Sequence, residues 1–444
     1  MAVSTPDLRA RVLAAIDARR DEIVQALSRA IQIESVNPKY PGQVYDEVVG
    51  REGDMSRFMA EIYRSAGAEV DLFAVEPQRE NAVGVVRGTG GGRSLIFNGH
   101  VDVVPPGDPA IWTGGNPFSG RVDGTRVWGR GASDMKSGVI AQGFAARALA
   151  DAGVRLAGDL ILEAVVGEEV MDHEVGVTAT LKRGYTADAA VVSEPSAPPA
   201  PLAIVPVSPG LWWFSLTVPG KPTHASMRGN LIRAGGLGAE VGVNAIDKGV
   251  DMFLAMRRLE DEWGQSKRHP LFPPGHFTIH PGVVTGGPKG VLVPFIVSEF
   301  MTFEYCCWYH PDERPDAVRA EIEEHVHRAA QLDPWLRENP PILEWKLNWP
   351  SFSVDPEHPI CQALGNAHEA ASVGTRFVGR PAVNGFAAVE DCSFLNLGGV
   401  PTVSYGPGDL RVAHAYDEHV HIDELVAATK TFALLAMDWC GTQA

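Results

Sequence analysis

The sequence predicts an α/β fold that is interrupted by an inserted α+β domain. Helix-like and strand-like segments alternate from about residue 54 to residue 196, as expected for a layered sheet with crossover helices. The character changes after a proline-rich stretch near residue 200, where the alternating strand LWWFSLTVPG begins. The α/β pattern returns near the carboxyl terminus. We therefore predict one domain from residues 1–207 and 349–444, with residues 208–348 inserted into it.

The elements of the first domain follow from hydrophobic spacing. The amino-terminal segment carries charges at every third or fourth position, which indicates an amphipathic surface helix. Further helices are predicted at 54–70 and 137–153, and strands at 81–88, 94–104, 158–169 and 188–196. The glycine-rich GTGGGRS joins the first two strands and lacks the Lys-Ser/Thr of a phosphate loop. We expect a tight hairpin there.

The remaining elements complete the two domains. For the inserted segment we predict a small sheet with helices on one face, with strands at 211–220, 297–309 and 341–349 and helices at 244–262 and 314–332. The last part of the chain then predicts a helix at 358–371, a strand at 401–408 and a final helix at 421–439.

Composition excludes several classes of function. Lys and Arg number 38 against 55 Asp and Glu, a net charge of −17, which disfavours binding to nucleic acid or to an anionic membrane. No apolar run is long enough to span a bilayer, and no signal peptide is evident. The five cysteines form no CxxC pair and are odd in number, which indicates reduced thiols and predicts a cytoplasmic protein.

Acidic and histidine side chains recur in five clusters, of which at least three follow predicted apolar strands, whereas Asp134 lies in a polar loop just before a predicted helix. They are His100 with Asp102, Asp134, the pair Glu168 and Glu169, Glu194, and His414. Each alone has an ordinary explanation, such as a helix cap, a turn or a solvated pair. In an open α/β sheet, however, the carboxyl ends of the strands form the ligand-binding crevice. Together these side chains offer the donors for two adjacent divalent ions that share one carboxylate.

The motifs that carry these residues resemble those of the M20 metallopeptidase family. They are NGHVDVVP, WGRGASDMKSG, GEE, SEPS and GPG followed by AHAYDEHV. This family includes acetylornithine deacetylase, succinyl-diaminopimelate desuccinylase, aminoacylase and glutamate carboxypeptidase. The resemblance implies a mixed-sheet, zinc-peptidase-like catalytic domain, with residues 208–348 as a lid domain that forms a homodimer.

The resemblance also implies a role for each residue. Asp134 would bridge one or two divalent ions, Zn²⁺, Mn²⁺ or Co²⁺, and the other metal ligands would be His100, Glu169, Glu194 and His414. Glu168 would be the general base that takes a proton from a metal-activated water. Asp102 would hydrogen-bond His100 and fix its tautomer. In the lid, His224 would reach a neighbouring active site across the dimer, and Asn244 would lie near the substrate.

This sequence departs from the family where relatives bind a substrate carboxylate. Cys306 stands where many relatives carry a lid arginine, and AAVEDCSF replaces a Thr-Asp-Ala-Arg type segment, so a second arginine is missing. Arg228, Arg376 or Arg411 could compensate. The tryptophans and tyrosine at 212, 213, 308 and 309 suit either an aromatic substrate moiety or packing inside the inserted domain.

The leading hypothesis is a metal-dependent hydrolase that cleaves the C–N amide bond of an N-acyl amino acid or dipeptide-like small molecule. The missing arginines motivate an alternative, a hydrolytic deaminase or amidohydrolase acting on an unusual, perhaps aromatic, amine. A non-catalytic binding protein on the same fold is a third hypothesis. It is disfavoured because every predicted metal ligand and Glu168 are present.

Overall fold

The computed structural model describes residues 5–196 and 200–443, and it divides the chain into two compact units. Unit 1 contains residues 1–208 and 352–444, and unit 2 contains residues 209–351. The role of lid and dimerisation domain that we assign to residues 208–348 stays a prediction.

The α-helices are numbered in chain order. They are α1 Thr5–Ala18, α2 Arg20–Gln32, α3 Tyr45–Val48, α4 Arg51–Ser65, α5 Lys136–Asp151, α6 Val177–Lys182, α7 Arg228–Ile232, α8 Ala245–Ser266, α9 Pro315–Gln331, α10 Pro334–Glu338, α11 Pro359–Ala371, α12 Cys392–Leu397 and α13 Ile422–Cys440.

The strands are numbered in the same way. They are β1 Glu69–Ala74, β2 Glu80–Val86, β3 Leu95–His100, β4 Arg121–Val122, β5 Arg126–Trp128, β6 Leu160–Val165, β7 Ala190–Val192, β8 Ile204–Ser208, β9 Gly210–Pro219, β10 Ile279–Gly287, β11 Phe300–Tyr309, β12 Ile342–Trp349, β13 Phe352–Ser353, β14 Val383–Gly385, β15 Thr402–Ser404 and β16 His419–His421.

Unit 1 is built on a nine-stranded mixed sheet, which confirms the predicted fold class. Its order is β1-β2-β6-β3-β7-β15-β8-β13, and β14 also pairs with β8. The four strands β6, β3, β7 and β15 run parallel to one another, whereas β2 and β8 pair antiparallel with the outer two. They are buried along their whole length, as expected for parallel strands covered on both faces. Their carboxyl ends therefore lie along one edge of the sheet.

The hairpin predicted at the glycine-rich GTGGGRS is wrong. β2 and β3 do not pair with each other, because β6 lies between them and pairs with both. The glycine-rich segment instead crosses the end of β6, where the backbone N–H groups of Thr89 and Gly90 donate to the carbonyls of Leu156 and Ala157. A Cβ on Gly88 would come within 2.4 Å of the backbone of Gly158, so the close crossing requires glycine.

Unit 2 is a four-stranded antiparallel sheet, β10-β11-β9-β12, with α8 and α9 packed against it. The inward residues of β9 are Phe214, Leu216 and Val218, and they join the buried cluster formed with the helices. Of the aromatic residues singled out in this segment, Trp212 packs against Trp345, and Tyr309 is fully buried. Packing of unit 2 accounts for these two side chains.

Among the helices of the described residues, none combines the length and the apolar character that crossing a bilayer requires.

Shortening one inward side chain of β9 tests where the core of unit 2 lies. Leu216 is fully buried, whereas Leu332, just after α9, is 85% exposed. Because a buried truncation leaves a cavity, Leu216→Ala should lower the free energy of unfolding by about 2–5 kcal/mol. The matched control Leu332→Ala should cost less than about 1 kcal/mol. Urea titration followed by tryptophan fluorescence measures both, and equal costs would contradict the assigned core.

Candidate metal centre

The parallel strands of unit 1 bring the predicted ligands to one edge. His100 is the last residue of β3. Glu168 and Glu169 follow β6 in a short 3-10 helix, Glu168–Val170, and Glu194 comes two residues after β7. β6 and β7 flank β3 on either side, so the three segments meet beyond the carboxyl end of the central strand.

Asp134 enters this edge from the loop before α5. The backbone N–H groups of Ser133 and Asp134 donate to one carboxylate oxygen of Glu418, at 2.8 and 3.1 Å. The other oxygen of Glu418 pairs with Arg130. Glu418 is fully buried, and our sequence analysis did not identify it. The signal was present, since Glu418 lies in AHAYDEHV only four residues after His414.

Two donor groups share Asp134, and the ligand atoms of each group lie within 4.8 Å of one another. In the first group, Nε2 of His100 is 3.0 Å from Asp134 Oδ1 and 3.4 Å from Glu194 Oε1. In the second, Nε2 of His414 is 3.3 Å from Asp134 Oδ2 and 2.9 Å from Glu169 Oε2. Each group thus offers one imidazole and two carboxylates.

The tautomer of His100 is set by a backbone carbonyl. Its Nδ1 lies 2.9 Å from the carbonyl oxygen of Asp102, which accepts but cannot donate, so Nδ1 carries the proton. The lone pair of Nε2 therefore points at Asp134 and Glu194, as a metal ligand requires. The carboxylate of Asp102, which we expected to make this bond, is 3.7 Å from Nδ1. The structure thus corrects the predicted contact.

The carboxylate of Asp102 instead supports the turn that carries the two glutamates. It accepts from the backbone N–H of Gly167 at 3.0 Å and of Glu169 at 3.1 Å, and from the side chain of Asn37 at 2.8 Å. Gly167 has a φ of 94°, and a Cβ there would meet the backbone of Asp172 at 2.7 Å. Only glycine fits this tight turn comfortably.

The loop beyond the glutamates is anchored at two further points. The side chain of Asn81 accepts from the backbone N–H of Val166 and donates to the carbonyl of Val175, at 3.1 and 2.7 Å. The buried Arg79 contacts Asp172 at 3.0 Å and pairs with Glu52 through two hydrogen bonds. These contacts fix both ends of the segment that presents Glu168.

Electrostatics indicate a site that is completed by cations. Burial raises the pKa of Glu168, and the neighbouring Glu194 and Glu169 raise it further, against the opposing effect of His100. Burial would lower the pKa of His414, but Glu169 and Asp134 raise it to about 12. The buried carboxylates are therefore stable in their charged form only if positive charge lies beside them. Divalent ions supply that charge while leaving the imidazoles neutral, so the donor set fits metal binding.

The other predicted site residues lie in local hydrogen bonds. His224 Nδ1 accepts from the backbone N–H of Ser226 at 3.2 Å, and Asn244 Oδ1 caps α8 by accepting from Ile246 at 2.9 Å. Both belong to unit 2, as does Arg228, which pairs with Asp247. Their roles at the active site stay predictions.

The two arginines of unit 1 that could have replaced the missing cation are already paired. Arg376 contacts Asp423 at 2.6 Å and Glu424 at 3.0 Å. Arg411 makes three contacts with the carboxylate of Asp409, the shortest of them 2.6 Å. In this structure both guanidinium groups are neutralised by the chain's own carboxylates.

Comparison with known proteins agrees with this geometry. The model of Peptidase family M20/M25/M40 matches residues 96–438. The chain is 32% identical to N-formyl-4-amino-5-aminomethyl-2-methylpyrimidine deformylase of Halalkalibacterium halodurans, over 97% of both chains. It is 33% identical to the deformylase of the same name from Bacillus subtilis, over 96% of both chains.

A solved structure shares the fold at low sequence identity. Human carnosine dipeptidase 1 aligns with a TM-score of 0.72, covering 98% of this chain and 99% of that one, at 16% identity. Members of the M20 family are metal-dependent hydrolases, and the strand-end motifs lie inside the matched region. The chain is a hydrolase that belongs to Peptidase family M20/M25/M40.

Proposed function

We propose that this chain is a metal-dependent deformylase that hydrolyses an N-formyl amide of a small heteroaromatic amine. The observation that carries the proposal is the pair of donor groups sharing Asp134, with Glu168 beside them at 3.9 Å from His100 Nε2. Two relatives that align over nearly the whole chain bear the name of a deformylase. In the reaction, water adds to the formyl carbon, the C–N bond breaks, and formate and the free amine are released.

Two divalent ions fit the donor groups. One would be held by His100, Asp134 and Glu194, and the other by Asp134, Glu169 and His414. Bound there, such ions would lower the pKa of water and polarise the acyl carbonyl. We expect Zn²⁺, Mn²⁺ or Co²⁺, because all three accept mixed imidazole and carboxylate ligands.

Glu168 supplies the proton transfers. It is not part of either donor group, and its side chain is 12% exposed, so it is held at the reacting edge but open to a small substrate. Its raised pKa suits a base that must accept a proton from water and then give it to the leaving nitrogen. That second step matters because an amine leaves far more easily after protonation than as an amide anion.

The lack of an unpaired arginine at the expected positions favours a substrate without a carboxylate. Cys306 occupies the position of the lid arginine, and Arg376 and Arg411 are paired with acidic side chains. An N-acyl amino acid would therefore find no unpaired guanidinium among these residues. The deaminase alternative has no comparable support, since the two relatives described above, which align over nearly the whole chain, are named for removal of a formyl group.

We also propose that the protein is a homodimer formed through unit 2. Apolar side chains of α8 and β10 are exposed in the single chain, namely Ile246, Val250, Leu254, Val283 and Val284. Exposed apolar side chains grouped in this way are typical of an interface between protein chains, and a two-fold pairing of identical chains is the commonest one.

A substrate panel tests the proposed activity. N-formylated 4-amino-5-aminomethyl-2-methylpyrimidine should release formate. N-acetyl and N-succinyl amino acids should react at least about tenfold more slowly in kcat/KM, because the site offers no unpaired guanidinium to their carboxylate.

Glu168→Gln should lower kcat by about 10²- to 10⁴-fold through loss of the base. The control Glu174→Gln changes an exposed residue of the same loop and should keep wild-type activity. Preference for acylated amino acids, or release of ammonia, would contradict the proposal.

Metal analysis tests the donor groups. Elemental analysis after loading and dialysis should find two ions per chain, and about one in His100→Ala or His414→Ala, since each variant removes a ligand of one group. Asp134→Ala should lose both. The control His280→Ala changes an exposed histidine of β10 and should retain two. Chelation should abolish activity and metal addition restore it. Retention of both ions in His414→Ala would be inconsistent with the second group.

Mixing inactive variants tests the role of His224 across a dimer. His224→Ala and Glu168→Gln should each be nearly inactive alone. Random exchange of subunits should restore about a quarter of wild-type activity, because half of the dimers would then contain one complete site. The measurement is activity after denaturation and joint refolding, with native mass spectrometry counting the mixed dimers. Mixed dimers without restored activity would remove His224 from the neighbouring site.

A further inference from the structure

Arg130 connects the loop of Asp134 with the loop of His414. It is a buried arginine, 2% exposed, in the polar loop before α5. One terminal nitrogen, Nη1, donates to the carboxylate of Glu418, and the other, Nη2, donates to the backbone carbonyl oxygen of His414 at 3.2 Å. Glu418 also accepts the backbone N–H of Asp134. One guanidinium group thus joins the backbones of two residues that offer metal ligands.

His414 has a backbone conformation that residues with a Cβ seldom adopt. Its φ is 58°, in the left-handed region, and Asp417 nearby has a φ of 55°. Residues 405–418, which the structure describes in full, lie between β15 and β16 and form no helix or strand. The side chain of His414 is 52% exposed, against 1% for His100 at the end of β3. A strained ligand on an irregular segment persists only where its surroundings fix it.

The chemistry of arginine suits this connection. A guanidinium group is planar and presents separate donors to separate acceptors, whereas lysine offers a single ammonium group. The group of Arg130 also lies over the indole ring of Trp112, with Cζ 5.3 Å from the ring centroid. The indole N–H of Trp112 is fixed in turn by the carbonyl of Pro106, at 2.9 Å. These contacts set the direction in which Nη2 reaches the carbonyl of His414.

We propose that Arg130 is a positioning residue that holds His414 ready for the second metal ion, the one assigned to Asp134, Glu169 and His414. The inference rests on the proposed two-ion centre, and it names a residue outside both donor groups that determines the affinity of one of them. Arg130 supplies no ligand atom and acts through the backbone of His414. Without this bond the segment samples conformations in which the imidazole points elsewhere, and the apparent affinity falls with the fraction that is ready to bind.

The first donor group should not depend on this bond. Two of its members, His100 and Glu194, are carried by the ends of β3 and β7 rather than by the segment of His414. The bond to His414 therefore affects one ion and spares the other. A general loss of structure would weaken both.

Arg130→Lys tests the proposal with Zn²⁺ as the probe. Lysine keeps a positive charge beside Glu418 but not the second donor that reaches His414. Competition with a chromophoric chelator should show one Zn²⁺ bound about 10- to 100-fold more weakly than in the wild-type protein, the usual cost of losing a group that orients a ligand. The other Zn²⁺ should keep its affinity within about twofold. Elemental analysis should find the weakened site refilled when the concentration of Zn²⁺ is raised by the same factor.

A double-mutant cycle assigns the effect to His414. In His414→Ala one ion should remain, held by the first donor group. Adding Arg130→Lys to that variant should change the affinity of the remaining ion by less than about twofold, because the bond in question no longer has an imidazole to position. Wild-type affinities in Arg130→Lys, equal weakening of both ions, or a weaker remaining ion in the double variant would overturn the inference.

The matched control is Arg93→Lys. Arg93 also lies over an indole ring, that of Trp439 at 3.6 Å, and donates to a backbone carbonyl at 3.3 Å, but it precedes the opposite end of β3. Both affinities should stay at the wild-type values. Arg130→Gln is a second variant, whose shorter side chain can reach Glu418 or His414 but not both. It should behave as the lysine variant does, so the test survives if one of the two proteins fails to fold.

Proteolysis of the metal-free protein tests the positioning without any ion. Arg411 lies in the same segment as His414 and its side chain is 71% exposed, so trypsin can cleave after it when the segment opens locally. Arg130→Lys should speed this cleavage about three- to tenfold, as expected for the loss of one hydrogen bond, and Arg93→Lys should not. Mass spectrometry identifies the cleaved bond.

This measurement separates the inference from the proposed function. If the wild-type protein binds fewer than two Zn²⁺, the proposed two-ion centre fails, and the rate of cleavage decides the role of Arg130. Faster cleavage after Arg411 in Arg130→Lys would still support a residue that holds the segment of His414. Equal rates in the wild-type protein and the variant would overturn it.

Discussion

Negative charge crowded at the carboxyl edge of four parallel strands is the constraint on which the rest of unit 1 depends. Three strand ends and one loop bring His100, Asp134, Glu169 and Glu194 within a few ångströms of one another and largely out of water. Carboxylates so placed repel each other, and among the described residues their ion-pair contacts are with His100 and His414. Divalent cations resolve this conflict, so the cost of assembling the site becomes affinity for metal.

The supports of the site are themselves acidic. Glu418 and Asp102 are fully buried, and each accepts backbone N–H groups from the loop that it positions. A carboxylate can hold two or three such donors at once, which fixes a turn more firmly than a neutral side chain does. The loops that carry Asp134 and Glu169 are thereby fixed by hydrogen bonds from their backbone to buried carboxylates.

Much of the fold and of the donor set was accessible from the sequence. The strand β3 and the helix α13 were recognisable because apolar spacing is local, and the clustering of acids at strand ends followed from sheet topology. The pairing of the strands could not be predicted from the sequence. β2 and β3 are consecutive in the chain, yet β6, which begins some sixty residues after β3, lies between them in the sheet. The contacts of Asp102 were missed for the same reason, since they depend on which distant backbone atoms lie within hydrogen-bond reach.

The double attachment of Asp102 ties the two donor groups to one residue. Its carbonyl orients His100 in the first donor group, and its carboxylate holds the backbone of Glu169 in the second. A substitution that displaces Asp102 would therefore disturb both groups at once, although its own carboxylate belongs to neither.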